Sequence, residues 1–152
     1  MSPFPASPQM ARALDEARAA AVRGEVPVGA VVSGPDGMII AAAGNRTREL
    51  HDPTAHAEIL ALRAAGAALA SERLIGCVLH VTLEPCAMCA SAIAQARITL
   101  LVYGASDPKS GGVMQGARVF NHPQSHHVPE VVSGIGEAES ATLLRDFFAA
   151  RR

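Results

Sequence analysis

The chain has 152 residues, 49% of them hydrophobic and 18% charged, which bounds it to one globular domain over 1–152 and excludes a disordered chain. Net charge is −1, so no overall basic field announces a nucleic acid, and no apolar run approaches the ~18 residues of a membrane span. Three cysteines are an odd count, and the N-terminus has neither a basic start nor an apolar stretch, so a cytoplasmic chain without disulfides or signal peptide is expected.

Ser7-Pro8 predicts a helix start, with Met10, Ala13, Leu14, Ala17 and Ala21 at helical spacing and Gly24 as its end. Val26 to Val32 reads as a strand, Gly34-Pro35-Asp36-Gly37 as a turn and Met38 to Ala43 as the second arm of a hairpin. Asn45 to Thr54 is a polar loop, followed by an Ala/Leu-rich helix over His56 to Leu69. Cys77 to Leu83 is a strand, Pro85 starts a short helix through Ala96, and Ile98 to Tyr103 is a strand closed by Gly104. Residues 105–127 are irregular, Val128 to Val132 is a weak strand, and Glu137 to Arg151 is a closing helix. The alternation argues an α/β layered domain with loop sites at the carboxyl ends of its strands.

The chemistry resides in Thr54-Ala55-His56-Ala57-Glu58 and in Leu83-Glu84-Pro85-Cys86-Ala87-Met88-Cys89. This H-x-E … P-C-x-x-C pattern is an established signature of zinc-dependent nucleobase deaminases. Cys86 and Cys89 share one helix face, whereas His56 and Glu58 diverge in mid-helix and meet one ion only where their helix approaches it end-on. Two helix N-termini are therefore expected to converge on a Zn2+ ion, with Thr54 as the cap of the first. His56, Cys86 and Cys89 make three ligands and leave a fourth position for water, the mark of a catalytic site; Glu58 is the unliganded carboxylate that shuttles protons. Cys77 reads as a core residue, His80 as a strand-surface residue, and His51, His122, His126 and His127 have no ligand spacing.

Further stretches carry a family resemblance. Gly24-Glu25-Val26-Pro27-Val28-Gly29-Ala30, Asn45-Arg46, His51 to Glu58, Val81 to Cys89, Tyr103 to Lys109 and Leu143 to Phe148 resemble the bacterial tRNA-specific adenosine deaminases, the TadA family. The resemblance implies a cytidine-deaminase-like fold, a three-layer α/β/α domain with a five-stranded mixed sheet, assembled as a homodimer. It implies conversion of adenosine to inosine at the wobble position of a tRNA anticodon, typically the arginine tRNA, with the anticodon stem-loop as partner and no organic cofactor. It places Asn45 on the target base, Val28 and Leu83 as pocket walls, Ala57 among the substrate-binding residues, and Asp107 and Lys109 in a loop along the anticodon. The chain departs from the family at 111–120, Gly-Gly-Val-Met-Gln-Gly-Ala-Arg-Val-Phe, and at His126, and Arg145, Arg151 and Arg152 read either as stand-ins for a basic tail or as a solvated helix end favoured by its dipole. Two rivals stand beside this reading: a deaminase of a free base such as guanine or cytosine, and a non-catalytic RNA-binding subunit.

Overall fold

The computed structural model describes residues 6–151. Residues 1–5 and Arg152, which bear on the N-terminal and basic-tail expectations, lie outside the described residues. Helix α1 spans Pro8–Val22; Ser7 Oγ accepts from Met10 N at 3.1 Å, and Gly24, at φ 83°, turns the chain out of it. Strands β1 (Gly29–Ser33) and β2 (Ile39–Gly44) form the expected hairpin, with a bulge between Val32 and Ser33. Helix α2 is Ala57–Leu69, strand β3 is Val78–Leu83, helix α3 is Ala87–Gln95 and strand β4 is Leu100–Ala105. A short 3₁₀ turn at Val119–Asn121, strand β5 (Glu130–Ser133) and helix α4 (Glu137–Ala149) complete the chain.

The sheet order is β2-β1-β3-β4-β5, with β1 antiparallel to β2 and β3, and β3, β4 and β5 mutually parallel. Helices α1 and α4 cover one face and α2 and α3 the other, the three-layer arrangement that the resemblance implies. Alternating residues of the central strands feed two separate apolar clusters. Ala30, Val32, Leu79 and Val81 join α2 and α3, and Val31 and Val102 join Met10, Ala13 and Leu14 of α1. Double coverage explains why β1 reads as an unbroken apolar run. Gly29 lets α1 lie directly on β1, since a Cβ there would collide with Ala13 O and Ala17 N.

Several expectations are corrected. The first strand begins at Gly29, not Val26: Pro27 has no N–H to donate to a ladder, and Val28 N instead closes a tight turn onto Val26 O at 2.8 Å. Gly104 does not close β4 but lies inside it, where a Cβ would sit 2.5 Å from Thr82 O of the neighbouring strand. His80 is buried, not a surface residue, because β3 is an inner strand with helices on both faces; its Nε2 lies 3.1 Å from Ser33 Oγ. Cys77 is in the core, 1% exposed.

Candidate active site

Because β1 runs opposite to β2 and β3, the carboxyl ends of β2, β3 and β4 and the amino end of β1 lie on one edge of the sheet. Asn45 follows β2, Glu84 to Cys86 follow β3, Asp107 comes two residues after β4, and Val26 and Val28 precede β1. All of these except Pro85, together with Thr47, His56, Glu58, Leu83 and Ser110, line one cavity of ≈ 230 Å³.

Two helices enter that cavity by their N-termini. His56 is the N-cap of α2 and Cys86 the N-cap of α3, so Glu58 and Cys89 both fall in first turns. His56 Nδ1 lies 3.6 Å from Cys86 Sγ and 3.4 Å from Cys89 Sγ. A tetrahedral zinc with ordinary Zn–N and Zn–S bonds requires N···S separations of ~3.6 Å, so this donor set fits that ion in chemistry and in spacing. Among the described residues no second His/Cys/Asp/Glu group of this kind occurs. His122 Nε2 is 2.8 Å from Ala117 O and His127 Nε2 is 2.6 Å from Ile98 O, while His51 and His126 are exposed.

The electrostatics of the cluster follow from shared protons. A hydrogen bond from Cys89 draws the Cys86 thiol down to about 4 against the opposing effect of burial, with His56 assisting. The same contact with Cys86, then burial, pushes the Cys89 thiol up. The hydrogen bond with Cys86 raises His56 above its ordinary value. A cation entering the cluster displaces these protons, since thiolate and neutral imidazole are the binding forms. Glu58 is 4% exposed, and burial raises its carboxyl to about 6.

The candidate substrate residues divide into two groups. Asn45, Val28, Leu83 and Asp107 line the cavity. Lys109 lies outside it, in an adjoining cavity of ≈ 640 Å³ with Leu144, Phe148 and Arg151, which shares Val26, Leu83, Asp107 and Ser110 with the first. Ala57 is fully buried and does not line either space; its N–H donates to Asn45 Oδ1 at 2.7 Å. That bond corrects the expected cap. Thr54 turns away, its N and Oγ1 donating to Asp52 Oδ1 at 2.8 and 2.7 Å, and the orphan amide of α2 is satisfied by Asn45 from across the cavity. Asn45 Nδ2 also donates to Val26 O at 3.2 Å, so the side chain is fixed before any ligand arrives. Arg151 donates to Phe147 O, with its guanidinium 3.5 Å above the Phe147 ring centroid, whereas Arg145 reaches only Thr142 Oγ1.

Sequence reasoning missed two buried carboxylates, Glu25 (1% exposed) and Glu84 (2% exposed). Glu84 Oε1 accepts from Asp107 N at 3.0 Å, and Oε2 accepts from Val113, Met114 and Gln115 N at 3.2, 2.9 and 3.0 Å. Glu25 accepts from Arg48 N at 3.1 Å, Glu49 N at 2.9 Å and Thr47 Oγ1 at 3.4 Å. Burial alone would raise the Glu25 carboxyl, but these donors, with the Arg23 charge, hold it below its ordinary value. The unusual Gly111-Gly112 pair belongs to the same arrangement: a Cβ on Gly111 would lie 2.6 Å from Glu84 Cδ and Asp107 O, and one on Gly112 would lie 2.5 Å from Ala87 N. Glu84 stood next to the metal motif as a possible signal; Glu25 had none beyond its place in a family stretch.

Comparison with known proteins bears on the family and the fold. Residues 6–152 match the MafB19-like deaminase family model. Over 143 residues, 94% of this chain and 93% of the relative, the sequence is 58% identical to the tRNA-specific adenosine deaminase of Agrobacterium fabrum. The chain belongs to the tRNA-specific adenosine deaminase family. A solved structure from studies of A-to-I editing by tRNA:A34 deaminases at the wobble position of transfer RNA superposes on this deaminase with a TM-score of 0.88, at 58% identity, over 90% of this chain and 98% of that one. A more distant neighbour is the guanine deaminase from Nitrosomonas europaea, with a TM-score of 0.81 at 27% identity, over 98% of this chain and 88% of that one.

Proposed function

We propose that this chain hydrolyses adenosine to inosine at the wobble position of a tRNA anticodon, with an arginine tRNA as the acceptor that the family resemblance favours. The observation that carries the reading is one cavity in which His56, Cys86 and a buried Glu58 meet, in a chain 58% identical to a tRNA-specific adenosine deaminase. A zinc ion bound by His56 Nδ1, Cys86 Sγ and Cys89 Sγ would supply Lewis-acid activation of water, three protein donors leaving its fourth position open.

The chain's own residues do the rest. Glu58 takes one proton from the attacking water and passes it to the ring nitrogen beside the attacked carbon, then takes the proton of the new hydroxyl and delivers it to the departing amine; one water enters and one ammonia leaves. Val28 and Leu83 hold the ring between apolar walls, and the prefixed Asn45 amide faces the purine edge. An anticodon-loop base is already unpaired, so extruding it into the cavity costs little. Asp107 and Lys109 lie where the cavity widens, which suits them to neighbouring nucleotides. We read 1–152 as one deaminase domain working in the cytoplasm; among the described residues no helix is long and apolar enough to cross a membrane. A homodimer is part of the same reading. The apolar groove between α2 and α3, lined by Ile59, Leu62, Leu74, Ala92 and Ala96, is the surface that favours it.

The test is to incubate the zinc-loaded protein with a tRNA-arginine anticodon stem-loop and, separately, with free guanine, cytosine and adenine. Inosine should appear in the stem-loop, and Glu58→Ala should keep its zinc while turnover falls by about 10²–10⁴. Deamination of free guanine alone would overturn the reading in favour of a base deaminase. Tight RNA binding without turnover would favour the non-catalytic subunit.

A further inference from the structure

Two of the cavity's walls are loops with no regular structure: 45–52, which contributes Asn45 and Thr47, and 106–115, which contributes Asp107 and Ser110. Each is held from beneath by a buried carboxylate whose partners are chiefly backbone N–H groups. Glu84 gathers four such donors, all from 107–115. Glu25 gathers two from Arg48 and Glu49, with the Thr47 hydroxyl added. A carboxylate only accepts, so it fits a ring of donors that no other side chain of this length satisfies; an isosteric amide would point its NH2 at N–H groups. Asp107 continues the chain of contacts, its Oδ1 accepting from Lys109 N at 3.2 Å and Ser110 N at 3.1 Å. Glu84 also precedes α3, whose N-terminus favours a negative charge there. Neither carboxylate is needed to bind a metal ion, and neither has been given a step in the chemistry.

We propose that Glu25 and Glu84 are positioning residues for the RNA: each fixes one loop wall of the cavity so that Thr47 on one side, and Asp107 and Lys109 on the other, are preset for the nucleotides around the target base. The inference rests on the tRNA reading above. Holding both loops in place before binding removes an ordering cost that the RNA would otherwise meet, so the effect belongs to substrate binding and not to the chemical step.

The experiment compares Glu25→Gln, Glu84→Gln and each combined with Asp107→Ala, using zinc-loaded protein and the anticodon stem-loop. Each single Gln variant should keep one zinc per chain and raise KM about tenfold or more, with kcat within about threefold of wild type. Glu84→Gln and Asp107→Ala act on one loop, so their combined KM effect should fall well short of the product of the two. Glu25→Gln and Asp107→Ala act on different loops, and their effects should multiply. An unchanged KM, a loss confined to kcat, or multiplicative effects for Glu84→Gln with Asp107→Ala would overturn the proposal. Variants that fail to fold or to hold zinc would also overturn it, by making the carboxylates general props. A wild-type protein inactive on the stem-loop refutes the tRNA reading instead, whereas an active wild type with unaffected Gln variants refutes this inference alone.

Discussion

At the scale of single residues, His80 shows how burial converts an ordinary side chain into a pH-sensitive one. It lies between Val31 of β1 and Val102 of β4, with Nε2 on Ser33 and Nδ1 buried without a partner. Burial lowers its pKa from 6.5 to about 4. Between those values the unfolded chain binds a proton that the folded chain refuses. The penalty is absent above pH 6.5 and grows as pH falls towards 4, to at most about 3.5 kcal/mol. His80→Leu with Ser33→Ala, which removes both partners together, should flatten that part of the slope and leave stability at pH 8 nearly unchanged. Urea unfolding midpoints measured from pH 4 to pH 8 check this. A double variant whose slope matches wild type would assign the acid sensitivity to other groups, such as the cysteine cluster.

At the scale of elements, helix α2 depends on a cap that is remote in sequence. Asn45, 12 residues upstream, satisfies the Ala57 amide while its Nδ2 holds Val26 O. Asn45→Ala should therefore cost about 1 kcal/mol of stability as a lost cap, and more if the Val26 carbonyl is left dry. Asn45→Asp keeps the acceptor and should recover the cap without recovering activity, because the amide donor is gone. Denaturant midpoints and inosine formation, measured on the same samples, separate the two roles. What was legible in the sequence follows the same division. His56 with Glu58 and Cys86 with Cys89 could be singled out because each pair sits at a short fixed offset at one helix N-terminus; that the two pairs meet depends on the sheet on which both helices dock. Element types were legible from periodicity, which local backbone preferences enforce. Thr54 as cap was wrong because the nearer Asp52 claimed its hydroxyl, a competition that spacing cannot reveal. The position of His80 was misread because alternation in a strand suggests an exposed face, and only the finished sheet shows β3 enclosed on both sides. The roles of Glu25 and Glu84 were not legible, even though Glu84 adjoins the Cys86 motif, because their partners are backbone amides, which carry no sequence signature.

For the molecule as a whole, the fold separates a rigid frame from an adaptable rim. His56 and Cys86 are N-caps and Cys89 lies in a first turn, all on helices docked on the sheet, so the group that could hold a metal ion belongs to the frame. The loops at the sheet edge lie outside regular elements, and beside their own turn hydrogen bonds each is tied to a buried carboxylate. That tie gives these loops an unusual kinetic signature. Irregular segments ordinarily exchange their amide protons with solvent freely, while helices and inner strands resist. Here the amides of Arg48, Glu49, Asp107, Val113, Met114 and Gln115 end on Glu25 or Glu84. Placed in deuterated buffer, these six amides should retain protium far longer than loop neighbours without such bonds, as NMR would resolve. Within the 107–115 loop they should release it together, because one carboxylate restrains four of them. The rim of the cavity would then open as a latch, with one rate, and not as a collection of independently fraying residues.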